Sequence, residues 1–350
     1  VASRPKVALA VAERAASRKV RPVRWAKLLG TIAAGGRRRI CKVMKSRFMK
    51  ARSTARRIRA LRSTGGNAAL IAKTALVPAM VYGVDVNGMA PTAQSKCRRL
   101  AAEAASAEAK GKNVNASLMV LDAQAGCLDP AFEAHVQPVK QWALAWWEGW
   151  VTPEQLCNAY EQATKRYFQA KLKWGRVTGP AAAMRASLER LKWDWVGASV
   201  MIDDQGCEWD ARRDPPRALV NAVRNSVRRW RTRLVEQDFP AIVPAESDTG
   251  THAEEGVVLV DLSVEACKIA RHDIKPAKSC HGWDREHVAY LRSAMVAGQW
   301  TRSRRAQVRK WEVGDWNCQL CQSEVGTEMH RHYCKVNMPQ GGWPNYPHAA

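Results

Sequence analysis

Residues 37–62 read RRRICKVMKSRFMKARSTARRIRALR. Within this run the apolar residues Ile40, Met44, Phe48, Ala51, Ala55 and Ile58 recur at steps of four, four, three, four and three, the signature of one face of a long α-helix. Lys and Arg crowd the other faces. Gly65-Gly66 ends the run, and Asn67 is placed to cap a second helix from Ala68 to about Tyr82, in which Pro78 permits a kink.

The same helical period continues downstream. Ala93 to Lys110 is an Ala-rich helical stretch closed by Gly111. Asp129-Pro130 opens a helix to Trp150, in which Val139, Trp142, Trp146 and Trp150 share a face that reads as core, with Trp147 beside them. Thr152-Pro153-Glu154-Gln155 is a capping box leading a helix to Trp174. Gly179-Pro180 opens another to about Lys192, and Pro215-Pro216 one to about Gln237.

Two stretches change period. Arg24 to Ile32 reads as a short apolar strand with Gly35-Gly36 turning after it, and Ser199 to Asp210 reads as a small hairpin about Asp203-Asp204-Gln205-Gly206. The fold class expected is mainly α with small β elements. The expected domains are a basic N-terminal segment (1–36), a basic helical region (37–112), a helical region with the hairpin (113–237), a linker rich in Pro, Gly and acids (238–258), and C-terminal helices with a Cys/His segment (259–350). Those C-terminal helices are expected at Trp283–Ala297 and Ser303–Trp311.

The chain has 350 residues and a formal charge of +24, room for about two domains with cores of their own. Residues 1–75 hold 21 Lys and Arg against one acid, Glu13, whereas the other 275 hold 35 basic and 31 acidic residues. A block this basic associates with polyanions, nucleic acid first and anionic membrane second. No run reaches the 18 or so apolar residues of a membrane span, and no secretory signal opens the chain; its start at Val1 rather than Met suggests a piece of a longer frame.

Seven of the ten cysteines stand far apart, which fits a reducing, intracellular setting, nucleus or cytoplasm. The other three form a pattern: Cys318-Gln319-Leu320-Cys321, then His330, then Cys334, a C-x2-C-x8-H-x3-C spacing. Zinc takes four thiolate or imidazole ligands in a tetrahedron. A C-x-x-C turn presents two thiolates to one ion, and a helical H-x3-C segment presents the other pair. His332 is a rival imidazole with poorer helical spacing, and His272, Cys280, His281 and His287 are too irregular for a second site.

In the basic run, Arg37, Arg38, Arg39, Lys42, Lys45, Arg52, Arg56 and Arg59 are candidates for contacts to successive phosphates. Few aromatics interleave with them, which favours backbone contact over base stacking. Asp203-Asp204 looks like a polymerase metal pair but also suits a polar turn. No phosphate-binding glycine loop and no nucleophile elbow occur, so the motifs name no catalytic residue.

Taken in order, these motifs resemble the part of non-LTR (LINE-like) retrotransposon reverse transcriptases that lies downstream of the catalytic palm. Lys27-Leu28-Leu29-Gly30 is similar to the strand that closes the palm. Leu76-Val77-Pro78-Ala79-Met80-Val81-Tyr82-Gly83-Val84-Asp85 is similar to the thumb helix and its Tyr-Gly-x-Glu signature, with Asp85 in place of Glu. Gly326 to Cys334 looks like the zinc finger that follows. The resemblance implies a thumb, a helical connection and a zinc finger. It puts Asp203-Asp204 on the wrong side of the Leu-Gly strand to be the polymerase pair.

The expected function is therefore a nucleic-acid-binding remnant, holding RNA or DNA through a basic thumb and zinc through Cys318, Cys321, His330 and Cys334. Two alternatives stand beside it: the C-terminal part of an active RNA-directed DNA polymerase whose palm lies upstream, and a zinc-stabilised helical interaction protein.

Overall fold

The computed structural model describes residues 5–14, 25–28, 31–34, 39–64, 66–105, 113–122, 127–238, 302–306, 314–327, 330 and 334–336. The chain divides into two compact units, one of residues 1–108 with 117–264 and one of residues 109–116 with 265–350. The first holds most of the described secondary structure. It begins with α1 (Pro5–Arg14) and a hairpin of β1 (Trp25–Leu28) and β2 (Thr31–Ala34). The stretch expected to be one strand is thus two, antiparallel, with Leu28 opposite Thr31.

The basic helix α2 runs from Lys42 to Ser63. Its buried residues are Ala51, Ala55 and Ile58, with Met44 and Phe48 half-buried on the same side. The small Ala51 and Ala55 let α6 (Pro91–Ala105) approach closely, and α6 answers with its own buried Ala101 and Ala104. Arg62 bonds the Glu103 and Ala104 carbonyls at 3.2 and 3.4 Å, supplying partners to the open carbonyl end of α6.

Between them, Asn67 caps α3 (Ala68–Ile71) by accepting from the Leu70 N–H at 3.1 Å. The helix then widens to a π-turn over Ala72–Leu76 before resuming as α4 (Val77–Val81). Pro78 is the physical reason: it has no N–H for the carbonyl four residues back and crowds it, and a wider turn relieves both problems. Gly83, at φ +81°, turns the chain into α5 (Val84–Asn87); a Cβ there would lie 2.7 Å from Thr31 Cγ2, so β2 packs directly on this turn.

After α7 (Val114–Leu121), the main core gathers α8 (Pro130–Trp147), α9 (Pro153–Phe168), α10 (Pro180–Leu191) and α11 (Pro216–Asp238) around Phe132, Val139, Met184, Leu188, Trp193 and Met201. The capping box at Thr152 is present in both directions. Two ends differ from expectation. Helix α8 stops at Trp147 because Gly149 takes φ +66°, leaving Trp150 off the shared face and 57% exposed; of the four, Val139 and Trp142 are buried. Helix α9 stops at Phe168, and residues 173–176 form a 3-10 turn instead of its last coil.

Pro138 lies inside α8, yet the helix continues. The Ala134 carbonyl that Pro138 cannot serve accepts instead from Ser187 Oγ of α10 at 3.5 Å, so the tertiary contact supplies the missing donor. A three-stranded antiparallel sheet, β3 (Asp194–Trp195), β4 (Val200–Ile202) and β5 (Glu208–Asp210), joins α10 to α11 and extends the expected hairpin by one strand. The linker expected at 238–258 lies outside the described residues but for Asp238, and the helix expected at 283–297 lies outside them altogether. Among the described residues no helix is long and apolar enough to cross a membrane.

One buried charge cluster ties these helices together. Asp129, 0% exposed, caps α8 by accepting from the Ala131 N–H at 2.9 Å, takes Arg98 Nε of α6 at 3.1 Å on both oxygens, and faces Arg231 Nε of α11 at 3.8 Å. Asp122 fixes the preceding loop by accepting from the N–H groups of Cys127, Leu128 and Asp129 at 3.1, 2.8 and 2.9 Å. Removing one partner of a buried pair strands the other charge in a low-dielectric interior. Asp129→Ala should therefore lower unfolding free energy by about 3–5 kcal/mol, read from the urea midpoint; a loss under about 1 kcal/mol would deny the cluster that role.

His135 sits beside this cluster with Gln94 Nε2 at 3.3 Å from its Nε2. Burial first, then the Arg190 and Arg98 guanidinium groups, push the imidazole down to about 3. The unfolded chain takes up that proton near pH 6.5 and the folded chain does not, so stability present above that pH is lost as the pH falls toward 3. Urea midpoints of wild type and His135→Gln between pH 7 and 4 should diverge, the wild type losing up to about 1.4 kcal/mol more per pH unit. Parallel profiles would contradict this.

Candidate metal centre and basic face

In the second unit a knuckle brings the four expected ligands together. Asn317 pairs with Val325 in an antiparallel bridge, the Gly326 N–H bonds the Trp316 carbonyl at 2.8 Å, and the Cys318 N–H bonds the Glu324 carbonyl at 2.7 Å. Gly326 is required by close approach, since a Cβ would lie 3.2 Å from both the Asn317 oxygen and Cys318 Cα. Gln322 takes φ +55° to reverse the chain after Cys321. Thr327 Oγ1 accepts from the His330 N–H at 3.0 Å, which sets the start of the His/Cys segment.

The ligand atoms of Cys318, Cys321, His330 and Cys334 all lie within 4.8 Å of one another. Cys318 Sγ and Cys334 Sγ are 3.9 Å apart, and Cys321 Sγ is 3.1 Å from His330 Nε2. A tetrahedral ion with metal–sulfur bonds of about 2.3 Å needs sulfur–sulfur edges of about 3.8 Å; the Cys318–Cys334 edge has that length, and the four side chains together could hold a metal ion. Among the described residues this is the only cluster of His, Cys, Asp and Glu side chains with that property. His332 lies outside the described residues, as do His272, Cys280, His281 and His287.

The surroundings favour the thiolate form of Cys318 and Cys321. N–H groups of Cys321 and Leu320 hold the Cys318 thiol below its usual range. The Ser323 hydroxyl and N–H, with the Glu324 N–H and His330, push the Cys321 thiol down to about 6. For His330, burial works against protonation, but Cys321, Cys318 and Glu324 together outweigh it and raise the imidazole. Glu324 Oε2 lies 2.9 Å from His330 Nδ1. A carboxylate there places the ring proton on Nδ1 and turns the Nε2 lone pair toward the thiols.

Sequence spacing supplied the four ligands and missed Glu324, whose role depends on the fold of the knuckle rather than on any periodicity. Glu324→Ala should weaken metal affinity about 10- to 100-fold in chelator competition. An unchanged affinity would mean that the imidazole needs no such support.

The basic face belongs to the first unit. Lys42, Lys45, Met49, Arg52, Arg56 and Arg59, at alternating steps of three and four, are all exposed along one side of α2, over about 25 Å of helix. Lys45, Arg52 and Arg56 form no ion pair among the described residues, and Arg59 meets Glu103 only at 3.9 Å between exposed side chains. Arg37 and Arg38 lie outside the described residues.

Arg39 is a correction to the expected phosphate contacts. Its guanidinium turns inward, bonding the Gly88 carbonyl at 2.5 Å and covering the Trp174 ring at 5.4 Å, and burial lowers its pKa. The Tyr82-Gly83 motif is held at the surface by Arg47, which bonds the Tyr82 carbonyl at 2.6 Å and stacks on its ring at 4.6 Å.

Asp203 and Asp204 both have protein partners. Asp203 accepts from the Gln205 and Cys207 N–H groups at 2.9 Å and from Trp209 Nε1 at 3.1 Å, as a polar turn requires. Asp204 pairs with Arg229 at 2.8 and 2.5 Å and accepts from Ser226 Oγ at 2.5 Å. Two carboxylates engaged with different partners do not form a shared metal pair.

Compared with protein-family models, curated proteins and solved structures, the chain matches none.

Proposed function

We propose that this chain holds nucleic acid by its sugar–phosphate backbone along the exposed edge of α2, and that zinc is the metal of its Cys3His centre. The exposed stripe on α2 is the observation that carries this reading. Five cations on one straight edge, most without an internal partner, present a line of positive charge that repels itself and is relieved by a polyanion. No aromatic side chain interrupts the stripe, so its contacts read charge and spacing rather than base identity.

The order of motifs supports the same reading, as a thumb-like segment of a protein resembling non-LTR retrotransposon reverse transcriptases. In that reading the Tyr-Gly turn and Arg47 fix the base of α2, and the helix edge does the holding. Zinc suits the three-thiolate, one-imidazole donor set, and its binding would supply about 10 kcal/mol or more to the folding of this segment.

Binding of a labelled duplex across a salt series tests the backbone contacts. Five contacts predict a log–log slope of about −4.5, a loss of about 500-fold between 50 and 200 mM salt. Replacing Lys45, Arg52 and Arg56 by Gln should flatten that slope by about three units. A slope near zero, or an unchanged slope in the triple variant, would overturn the assignment and favour a helical interaction protein. Elemental analysis should return about one zinc per chain, lost on Cys318→Ser with Cys321→Ser.

A further inference from the structure

We infer that the helices of the first unit enclose a binding site for a small oxyanion of the phosphate class, built from Arg190 on α10 and Arg231 on α11 beside Trp230. The site is independent of the α2 stripe and of the metal centre.

Guanidinium groups here outnumber the carboxylates that could serve them. Arg98 on α6 takes both oxygens of Asp129 through its Nε at 3.1 Å, and the Ala131 N–H claims one of them again at 2.9 Å. Arg231, 3% exposed, is left with Asp129 at 3.8 Å from its Nε, too long for a hydrogen bond; neither that Nε nor its Nη1 has a hydrogen-bond partner among the described residues. Asp122, the other carboxylate acting on Arg231, is spent on three backbone N–H groups, and burial raises its pKa. Arg190 makes no ion pair among the described residues, and its Nη1 is buried without a partner.

One ring gathers these groups. The Trp230 centroid lies 5.1 Å from Arg190 Cζ, 5.0 Å from Arg98 Cζ and 6.1 Å from the His135 ring, and Arg231 is the next residue of α11. Burial first, then the charge of Arg98, lowers the Arg190 guanidinium to about 10. Burial lowers Arg231 as well, against the pull of Asp129 and Asp122. Guanidinium donors that are buried and unpaired cost free energy, and an anion with several acceptor oxygens relieves both that cost and the mutual repulsion. Beside the ring, His135 Nδ1 and Gln94 Oε1 are also buried and unpartnered, and a hydrogen phosphate carries both acceptor oxygens and a hydroxyl to meet them.

Trp230 and Arg190 are half-buried whereas Arg231 and His135 are buried, so the approach is from the Trp230 side and the ligand must be small. The indole already carries two guanidinium groups, so recognition rests on phosphate oxygens rather than on stacking of a base.

Isothermal titration of the full chain with inorganic phosphate, at ionic strength held constant with sodium chloride, should show one site per chain. Arg190→Gln should weaken that affinity about ten-fold or more, since a charge-assisted hydrogen bond is lost, and Arg190→Lys should recover part of it. Without phosphate, Arg190→Gln should melt no more than about 3 °C below wild type, because its guanidinium has no carboxylate to lose. Phosphate at a hundred times its Kd should raise the wild-type midpoint by about 5 °C or more and the variant's by much less. Replacing Lys45, Arg52 and Arg56 by Gln should leave phosphate binding unchanged, which separates this site from the α2 stripe. The proposal is overturned by wild type that shows no saturable binding, by equal affinity in Arg190→Gln, by loss of binding in the α2 triple variant, or by an Arg190→Gln chain that melts earlier than that limit. A free ion and the terminal phosphate of a strand present the same oxygens. A 5′-phosphorylated trinucleotide that competes where its unphosphorylated form does not identifies the strand end as the source, and one without effect identifies the free ion. The duplex salt slope tests the α2 reading separately, whichever way these results fall.

Discussion

Asp129 is the constraint on which the first unit depends. One buried carboxylate serves the N-terminus of α8, Arg98 on α6 and Arg231 on α11, so three helices that share no sequence neighbourhood are registered to a single pair of oxygens. Asp122 holds the backbone leading into Asp129 by three N–H bonds, which keeps the carboxylate from relaxing toward solvent. Such a pair contributes less to net stability than its Coulomb energy suggests, because both charges lose hydration. Its effect is on which arrangement of helices is tolerated at all.

A chain with this excess of Arg must also place cations inside, and it does so against aromatic faces. Arg98 and Arg190 lie over the Trp230 ring at 5.0 and 5.1 Å, Arg231 over Phe132 at 5.1 Å, Arg185 over Phe168 at 4.6 Å, and Arg39 over Trp174 at 5.4 Å. A guanidinium is weakly hydrated on its flat faces, so stacking on a ring costs less desolvation than burying an ammonium would. These arginines hold the fold from within, whereas the stripe on α2 faces solvent.

The second unit follows another logic. Among its described residues the knuckle has short backbone pairings, and four side chains that could hold a metal ion converge on one point. Glu324 and Thr327 set the imidazole's rotation and the turn that delivers it. An ion bound there would do the work of a core, in keeping with the exposure of Trp316 and Leu320.

Much of this was legible in the sequence, because the rules concerned are local. Proline and glycine positions, the Thr152 capping box and the three-to-four spacing of Ala51, Ala55 and Ile58 depend only on neighbours along the chain, and so the starts of α3, α8, α9, α10 and α11 could be read directly, whereas α1 and α7 were not. So could Cys318, Cys321, His330 and Cys334, since a knuckle imposes fixed spacing on its ligands. What only the tertiary structure decided were partnerships across distance: that Arg39 turns in while Lys45, Arg52 and Arg56 face out, that Trp150 leaves the helix face its spacing suggested, that Ser187 serves the carbonyl Pro138 abandons, and that Glu324 orients His330. Each depends on which surfaces meet when helices pack, and residues of the same type at similar spacing take opposite roles according to what lies across from them.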